Sequence, residues 1–394
     1  MNLTITPARL SGCVTPPPSK SLGHRFLIAA ALAGEGSVIH NLADSQDIRA
    51  TRRCMAELKT NRSSLPYLDC GESGSTLRFL IPLALALRGG GVFTGHGRLM
   101  ERPQQPYFDI FEEKNIRYKQ GKDVLTVEGW LTPGEYRLPG NVSSQFFTGL
   151  LMALPLLDGP SVIIPTTPLE SEGYIHMTLA VLAKFGIEIP ATLSLPPHYM
   201  IPGPGRYVPQ ELTVEGDWSQ AAVWYAARNL GCEVEIQGMD RSSGQWDQEV
   251  QRFCRELSQP GDVRIDLTNF PDLAPPLAAA AAVRQGVTRF TGGARLRIKE
   301  SDRLTAIAAA LNALGGQVTE RPDGLTVYGR EGLAGACTVD CCNDHRIAMM
   351  AAVAATRCKE PVTLAGAECV AKSYPGFWDH YRMLGGVFHE HAGK

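Results

Sequence analysis

Six times along this 394-residue chain, an Ala- and Leu-rich helical stretch is followed by a small-residue turn, a short β-like run and an amphipathic helix. One such repeat cannot bury its own apolar surface, so copies must pack against one another. The first helices are expected at His24–Ala33, Leu77–Leu87, Ser144–Leu157, Trp218–Leu230, Asp272–Val283 and Asp344–Ala355. Each is apolar on several faces, which predicts burial. The β-like runs fall at Ser37–Asn41, Gly91–Thr94, Ser161–Pro165, Glu233–Gln237, Val287–Thr291 and Pro361–Leu364. The second helices are expected at Gln46–Leu58, Pro103–Lys114, Tyr174–Phe185, Trp246–Leu257, Ser301–Leu314 and Tyr374–Leu384.

The spacing is uneven in an informative way. First helices start 53, 67, 74, 54 and 72 residues apart. Lys59–Gly71 leaves room for one strand, whereas Asn115–Val142 leaves room for three, so repeat one looks trimmed by a hairpin. Repeat four is short as well, with Val263–Leu267 as its clear closing strand. A chain this long exceeds one ordinary core. We expect two similar α/β domains of three repeats: 19–214, and 1–18 plus 215–394. The stiff run Pro16-Pro17-Pro18 and the segment Glu215–Asp217 would be the crossings, and Asn2–Pro7 would add a strand to the second domain. A β-propeller is the rival repeat architecture, and this many helices argue against it.

Composition excludes several functions. A formal net charge of -2 gives no support to general nucleic-acid binding. No apolar run reaches the length of a membrane span. Ten cysteines occur without a CxxC pair or zinc-ligand spacing, and the N-terminus lacks an apolar signal core. Reduced thiols in a cytoplasmic protein are the expectation, with no metal.

The chemistry-bearing residues cluster at the starts of the first helices. Ser19-Lys20-Ser21 with Arg25 opens repeat one, Gly71-Glu72-Ser73-Gly74-Ser75 with Arg78 opens repeat two, and Ser143-Ser144-Gln145 opens repeat three. Asp272 opens repeat five, and Asn343-Asp344-His345-Arg346 opens repeat six. Ser, Asp and Asn are ordinary N-caps, so any one cluster alone reads as structural. Capping does not explain Lys20, Arg25 and Arg78, because cations oppose the helix dipole at that end. A bound anion would remove the conflict. Further cations sit in turns: Arg98 and Arg102, Arg295, Arg297, Lys299 and Arg303, and Lys372. In a chain of near-zero net charge, this concentration implies a substrate with several acidic groups.

Seven motifs in order resemble the 5-enolpyruvylshikimate-3-phosphate (EPSP) synthase family. They are Pro18-Ser19-Lys20-Ser21 with Arg25, Asp69–Arg78, Glu101-Arg102-Pro103, Ser143-Ser144-Gln145-Phe146, Leu296–Arg303, Asn343–Arg346 and Lys372-Ser373-Tyr374-Pro375. The resemblance implies two domains, each of three βαβαββ units, forming an inside-out α/β barrel with the active site in the interdomain cleft. It implies transfer of the enolpyruvyl group of phosphoenolpyruvate to the 5-hydroxyl of shikimate-3-phosphate, with release of phosphate. It also implies action as a monomer on small molecules, with no nucleic acid, membrane or cofactor. Carried over by position, Lys20, Ser21, Arg25, Ser143, Ser144, Gln145, Ser171, Asp272 and Lys299 would contact shikimate-3-phosphate. Lys20, Gly74, Arg102, Gln145, Arg303, Arg346 and Lys372 would contact phosphoenolpyruvate, and Asp272, Glu300 and Lys20 would handle protons. Glu72 stands where many members carry Asn.

Three other functions compete with this one. The UDP-N-acetylglucosamine enolpyruvyl transferases carry Lys-Asn where this chain has Lys20-Ser21, and a reactive Cys in a loop that here, at Gly91–Arg102, has none. A non-catalytic binder of phosphometabolites gains nothing from Asp272 and Glu300. An RNA-end-processing enzyme of related fold should show a catalytic His and a basic surface.

Overall fold

The expected first helices form because long runs of Ala, Leu and Ile allow close packing on every side. In the computed structural model, which describes residues 1–60 and 64–391, five helices of this set are almost wholly buried, and the first, Lys20–Ala33, buries only one face. The chain divides into two compact units: a central one, Lys20–Val214, and a terminal one, Met1–Ser19 with Glu215–Lys394.

The terminal unit begins with β1 (Asn2–Thr6) and β2 (Ser11–Val14). The central unit follows with α1 (Lys20–Ala33), β3 (Val38–His40), α2 (Gln46–Lys59) and β4 (Tyr67–Asp69). Residues 61–63, inside the first expected strand space, lie outside the described residues. Next come α3 (Gly74–Arg88), β5 (Gly90–Thr94), α4 (Gln105–Glu113), β6 (Arg117–Gln120), β7 (Val124–Glu128) and β8 (Gly134–Leu138). α5 (Ser144–Ala153), β9 (Ser161–Pro165), α6 (Glu172–Lys184), β10 (Tyr199–Ile201) and β11 (Glu211–Thr213) complete that unit. The terminal unit resumes with α7 (Trp218–Asn229), β12 (Glu233–Ile236), α8 (Val250–Leu257), β13 (Val263–Asp266), α9 (Ala274–Ala282) and β14 (Val287–Thr291). It ends with α10 (Arg303–Ala313), β15 (Val318–Arg321), β16 (Gly324–Tyr328), β17 (Cys337–Asp340), α11 (His345–Ala355), β18 (Val362–Ala365), α12 (Phe377–Met383) and β19 (Val387–His391).

Each sheet holds one parallel pair. In β4-β5-β7-β6 and β13-β14-β16-β15, the parallel pair flanks a first helix and two antiparallel strands follow. In β17-β18-β1-β19 the third place is filled by β1, from the start of the chain. The sheet β10-β9-β8 has three strands. Repeats one and four keep only the parallel pairs β3 with β11 and β12 with β2. These two pairs record the chain crossings. β2 precedes α1 in sequence, yet it pairs with the strand that follows α7; β11 precedes α7, yet it pairs with the strand that follows α1. The crossings are tied to each other by Ser19 N–H to the Glu215 carbonyl at 2.7 Å and Asp217 N–H to the Pro17 carbonyl at 2.9 Å.

One packing detail sets up the site. Pro82 lies inside α3 and cannot donate to the Arg78 carbonyl four residues back. The Tyr107 hydroxyl donates to that carbonyl instead, at 2.7 Å. A Cβ at Gly149 of α5 would collide with both groups, so only glycine lets α5 approach α3 this closely. The result is an α3 whose first turn, carrying Arg78, is pinned against α5.

Several expected boundaries shift by one to four residues. Repeat five shows why: Asp272 lies in a one-turn 3-10 segment, Pro271–Leu273, just ahead of α9. All ten cysteines are free thiols. Among the described residues no helix is long and apolar enough to cross a membrane.

Candidate active site

In the central unit, Lys20 meets an acid, whereas Arg25 and Arg78 donate to neutral groups. Lys20, the first residue of α1, places Nζ 3.0 Å from Asp47 Oδ2 in α2. Arg25 is buried and donates to the Ser21 carbonyl (2.8 Å), Thr178 Oγ1 (2.8 Å), Thr148 Oγ1 (3.2 Å) and the Tyr174 carbonyl (3.1 Å). Burial among these uncharged partners pushes its pKa down to about 10. One guanidinium thereby knits α1, α5 and α6 together. Arg78, also buried, donates to Gln145 Oε1 and to the Pro103 carbonyl, each at 2.9 Å, and lies 4.7 Å over the Phe146 ring. Gln145 in turn donates to Ser75 Oγ at 3.0 Å. The conflict expected between Arg25, Arg78 and their helix dipoles is therefore met largely by protein acceptors.

Gly74 is the first residue of α3, and a Cβ there would overlap the Arg102 guanidinium. Arg102 is buried, just after the turn Leu99–Glu101. Glu72 is half-buried ahead of the cap at Ser73. Ser143 caps α5, accepting from Gln145 N–H at 3.3 Å, and Ser144 is that helix's first residue. Ser171 is buried before α6 in a left-handed backbone conformation (φ 56°) that a serine adopts only at some cost.

The terminal unit is built on ion pairs. Arg303 is 1% exposed and meets three carboxylates. Its Nε reaches Asp344 Oδ2 at 2.8 Å, Nη1 reaches Asp272 Oδ1 at 2.9 Å, and Nη2 reaches Glu300 Oε2 at 2.8 Å. Arg346 takes the other Asp272 oxygen at 2.7 Å and donates to Ser219 Oγ at 3.0 Å. Asp344 also caps α11 and accepts from Ser301 Oγ at 3.0 Å. Lys372 Nζ donates to the Asn343 carbonyl at 2.6 Å. Asn343 is left-handed (φ 50°), which turns that carbonyl out of the chain's course.

Electrostatics follow from this crowding. Burial alone would raise the Asp272 carboxyl, but Arg346, Arg303 and Lys299 together hold it well below the usual range. Asp344 is likewise depressed, with Arg303 outweighing burial. Arg303 is raised against its own burial by Asp344, Glu300 and Asp272. Lys299 is pushed down to about 7 by desolvation and by Arg295 and Arg303, against the pull of Asp272 and Glu300.

The capping reading therefore holds at several helix starts. Ser73, Ser143, Asp217 and Asp344 are genuine caps, and the cations beside them are buried and oriented. Asp272, Glu300, Arg303 and Arg346 form one connected group in the terminal unit. Sequence reasoning assigned no role to Asp47, Ser219, Thr148 or Thr178. Only Asp47 carried a usable signal, an acid in the first turn of a helix that follows a cationic cluster. Among the described residues no group of three or more His, Cys, Asp or Glu side chains could hold a metal ion.

The fold defines the class. The EPSP synthase of Acinetobacter baumannii superposes with a TM-score of 0.78 at 22% identity, over 99% of this chain and 100% of that one. The enolpyruvyl transferase NikO of Streptomyces tendae gives 0.76 at 17% identity, over 98% of each chain. This is the two-unit α/β architecture of enolpyruvyl transferases. The family model described as EPSP synthase (3-phosphoshikimate 1-carboxyvinyltransferase) matches residues 5–381. The 3-phosphoshikimate 1-carboxyvinyltransferases of Clostridium acetobutylicum and Clostridium kluyveri are 44% and 43% identical, over 98% of this chain and 98% of each relative. The chain belongs to the EPSP synthase family, transferases that move the enolpyruvyl group of phosphoenolpyruvate to shikimate-3-phosphate.

Proposed function

We propose that the residues of both units serve one reaction: attack of the 5-hydroxyl of shikimate-3-phosphate on C2 of phosphoenolpyruvate, with C3 protonated. A tetrahedral intermediate then loses phosphate as C3 returns its proton. In this reading Ser21, Arg25, Ser143, Ser144, Ser171 and Lys299 hold shikimate-3-phosphate. Gly74, Arg102, Arg303, Arg346 and Lys372 hold phosphoenolpyruvate, and Lys20 and Gln145 touch both. The cations offset repulsion between two anionic substrates and fix their approach.

The observation that carries the reading is the shared use of Asp272. Its carboxylate is held by Arg303 and Arg346, the two arginines assigned to phosphoenolpyruvate. While both hold it, Asp272 is a poor base. When the substrate's carboxylate and phosphate draw the guanidinium groups toward themselves, Asp272 loses part of that stabilisation and its affinity for a proton rises. Substrate binding thus prepares the group that takes the hydroxyl proton. Glu300 shares Arg303 and is prepared in the same way, which suits it to exchange the C3 proton, with Lys20 beside it in function.

The test is direct. Purified protein with both substrates at saturation should release inorganic phosphate; background release alone would sink the proposal. The reading includes a monomer acting in the cytoplasm without a resident cofactor. Sedimentation at micromolar concentration should give a single species near the chain mass of 42.7 kDa.

A further inference from the structure

A cavity of about 700 Å³ opens in the terminal unit at the C-terminal ends of α7, α8 and α9, where none of the residues discussed above lies. α7 separates the two regions. Its cap Asp217 and its Ser219, which holds Arg346, stand at the N-terminal end. Tyr225, Arg228 and Asn229 line the cavity from its last turns. Tyr225 and Arg228 lie six and nine residues beyond Ser219, a rise of roughly 9 and 13 Å, and the cavity shares no lining residue with the candidate active site.

Its lining has two parts. Leu257, Val283 and Cys254 are almost wholly buried and show small apolar edges at its base, among the polar side chains of Asn229, Gln251, Gln259 and Gln285; the half-buried ring of Tyr225 stacks on Trp218 at 6.1 Å and an 18° tilt. The rim carries positive charge. Arg284 is committed to the fold, donating to the carbonyls of Leu257, Gln259 and Gly261 at 2.9, 2.6 and 2.7 Å. Arg228 and Arg255 are different. Both are exposed, and among the described residues neither guanidinium has a carboxylate or hydrogen-bond partner. Arg228 Cζ lies 5.8 Å from the centre of the Tyr225 ring.

We infer that this cavity is a second ligand site, for a small aromatic carboxylate. The ring would lie on the apolar edges at the base, beside Tyr225, and the carboxylate would meet Arg228 and Arg255. The volume lies within the ordinary range for small-molecule sites. A bare oxyanion would satisfy the arginines and leave those edges wet. A neutral aromatic would cover the edges and leave both charges unmet. The carboxylate and the ring together answer both parts of the lining.

Benzoate is a suitable probe, measured by calorimetry on the full chain, with inorganic phosphate and benzyl alcohol as comparators. Benzoate should bind saturably and more tightly than either comparator. The double variant Arg228→Ala/Arg255→Ala should weaken benzoate at least about tenfold. Phosphate release from the two substrates should stay within about twofold of the parent in that variant, which shows that it folds. Tyr225→Leu should also weaken benzoate while sparing turnover. Three results overturn the inference: no saturable binding up to about 10 mM, benzoate binding unchanged in the double variant, or phosphate binding as tight as benzoate and lost in parallel.

Discussion

In the central unit, the buried guanidiniums of Arg25 and Arg78 rest on neutral acceptors; in the terminal unit, Arg303 rests on carboxylates and Arg346 shares one of them, while Lys372 donates to a carbonyl. Arg25 has four neutral acceptors and Arg78 has an amide, a carbonyl and a ring face. Arg303 has three acids around one guanidinium. The difference is one of purpose. Neutral acceptors orient a guanidinium without cancelling its charge, so the positive potential stays available to a phosphate. Carboxylates cancel the charge until a competing anion arrives. Under the proposed function, the neutral-acceptor arginines would be a standing anion site, and Arg303 with its acids a set of ion pairs that a substrate rearranges.

Removing the hub of the ion-paired set should do the most damage. Arg303→Met leaves Asp272, Glu300 and Asp344 crowded without their shared cation. A loss of about 3–5 kcal/mol in unfolding free energy, read by urea denaturation, is expected together with loss of turnover. Removing a single acid should separate chemistry from stability. Asp272→Asn and Glu300→Gln should each lower kcat by about 10²–10⁴-fold with little change in KM, read in steady-state phosphate release. A fall in affinity without a fall in kcat would assign these acids to binding alone.

The next effect is a pH dependence. Lys299 is lowered to about 7, so its ammonium form prevails below that pH and is lost above it. KM for shikimate-3-phosphate should rise as pH rises through 7. Lys299→Arg keeps the charge at all these pH values and should flatten that rise. If the two profiles coincide, Lys299 is not the titrating contact. In the central unit, Gly74→Ala would displace the Arg102 guanidinium without touching Arg25. KM for phosphoenolpyruvate should rise roughly tenfold, about 1.4 kcal/mol, while KM for shikimate-3-phosphate stays level. The smallest effect is expected at Thr148→Val, which removes one neutral acceptor of Arg25 and should cost about 1 kcal/mol in thermal or urea stability. A loss as large as that of Arg303→Met would erase the contrast between the units.

How much of this was written locally is visible residue by residue. The six apolar helices were legible because their composition alone demands burial. Lys20, Arg25, Arg78, Asp272 and Arg346 were legible because charge at a helix start needs an explanation. The shortness of repeats one and four showed in the spacing, and both have two-stranded sheets. The partners of those charges were not legible. Thr178 meets Arg25 across 153 residues of sequence, and Ser219 meets Arg346 across 127. Each is an ordinary polar residue in an apolar helix, and nothing local marks it.

The strand crossing was also hidden. Sequence placed a strand at Asn2–Pro7 and a stiff connector at Pro16–Pro18, but not the exchange in which β2 joins β12 and β11 joins β3. By itself, then, the sequence determined which helices are buried and which cations stand at their starts, because hydrophobic periodicity and the helix dipole act within a few residues. Only the tertiary structure decided which cations keep their charge and which are neutralised, because that depends on acceptors brought in by packing, from 31 and 41 residues away at Arg303 and from 123 to 153 at Arg25.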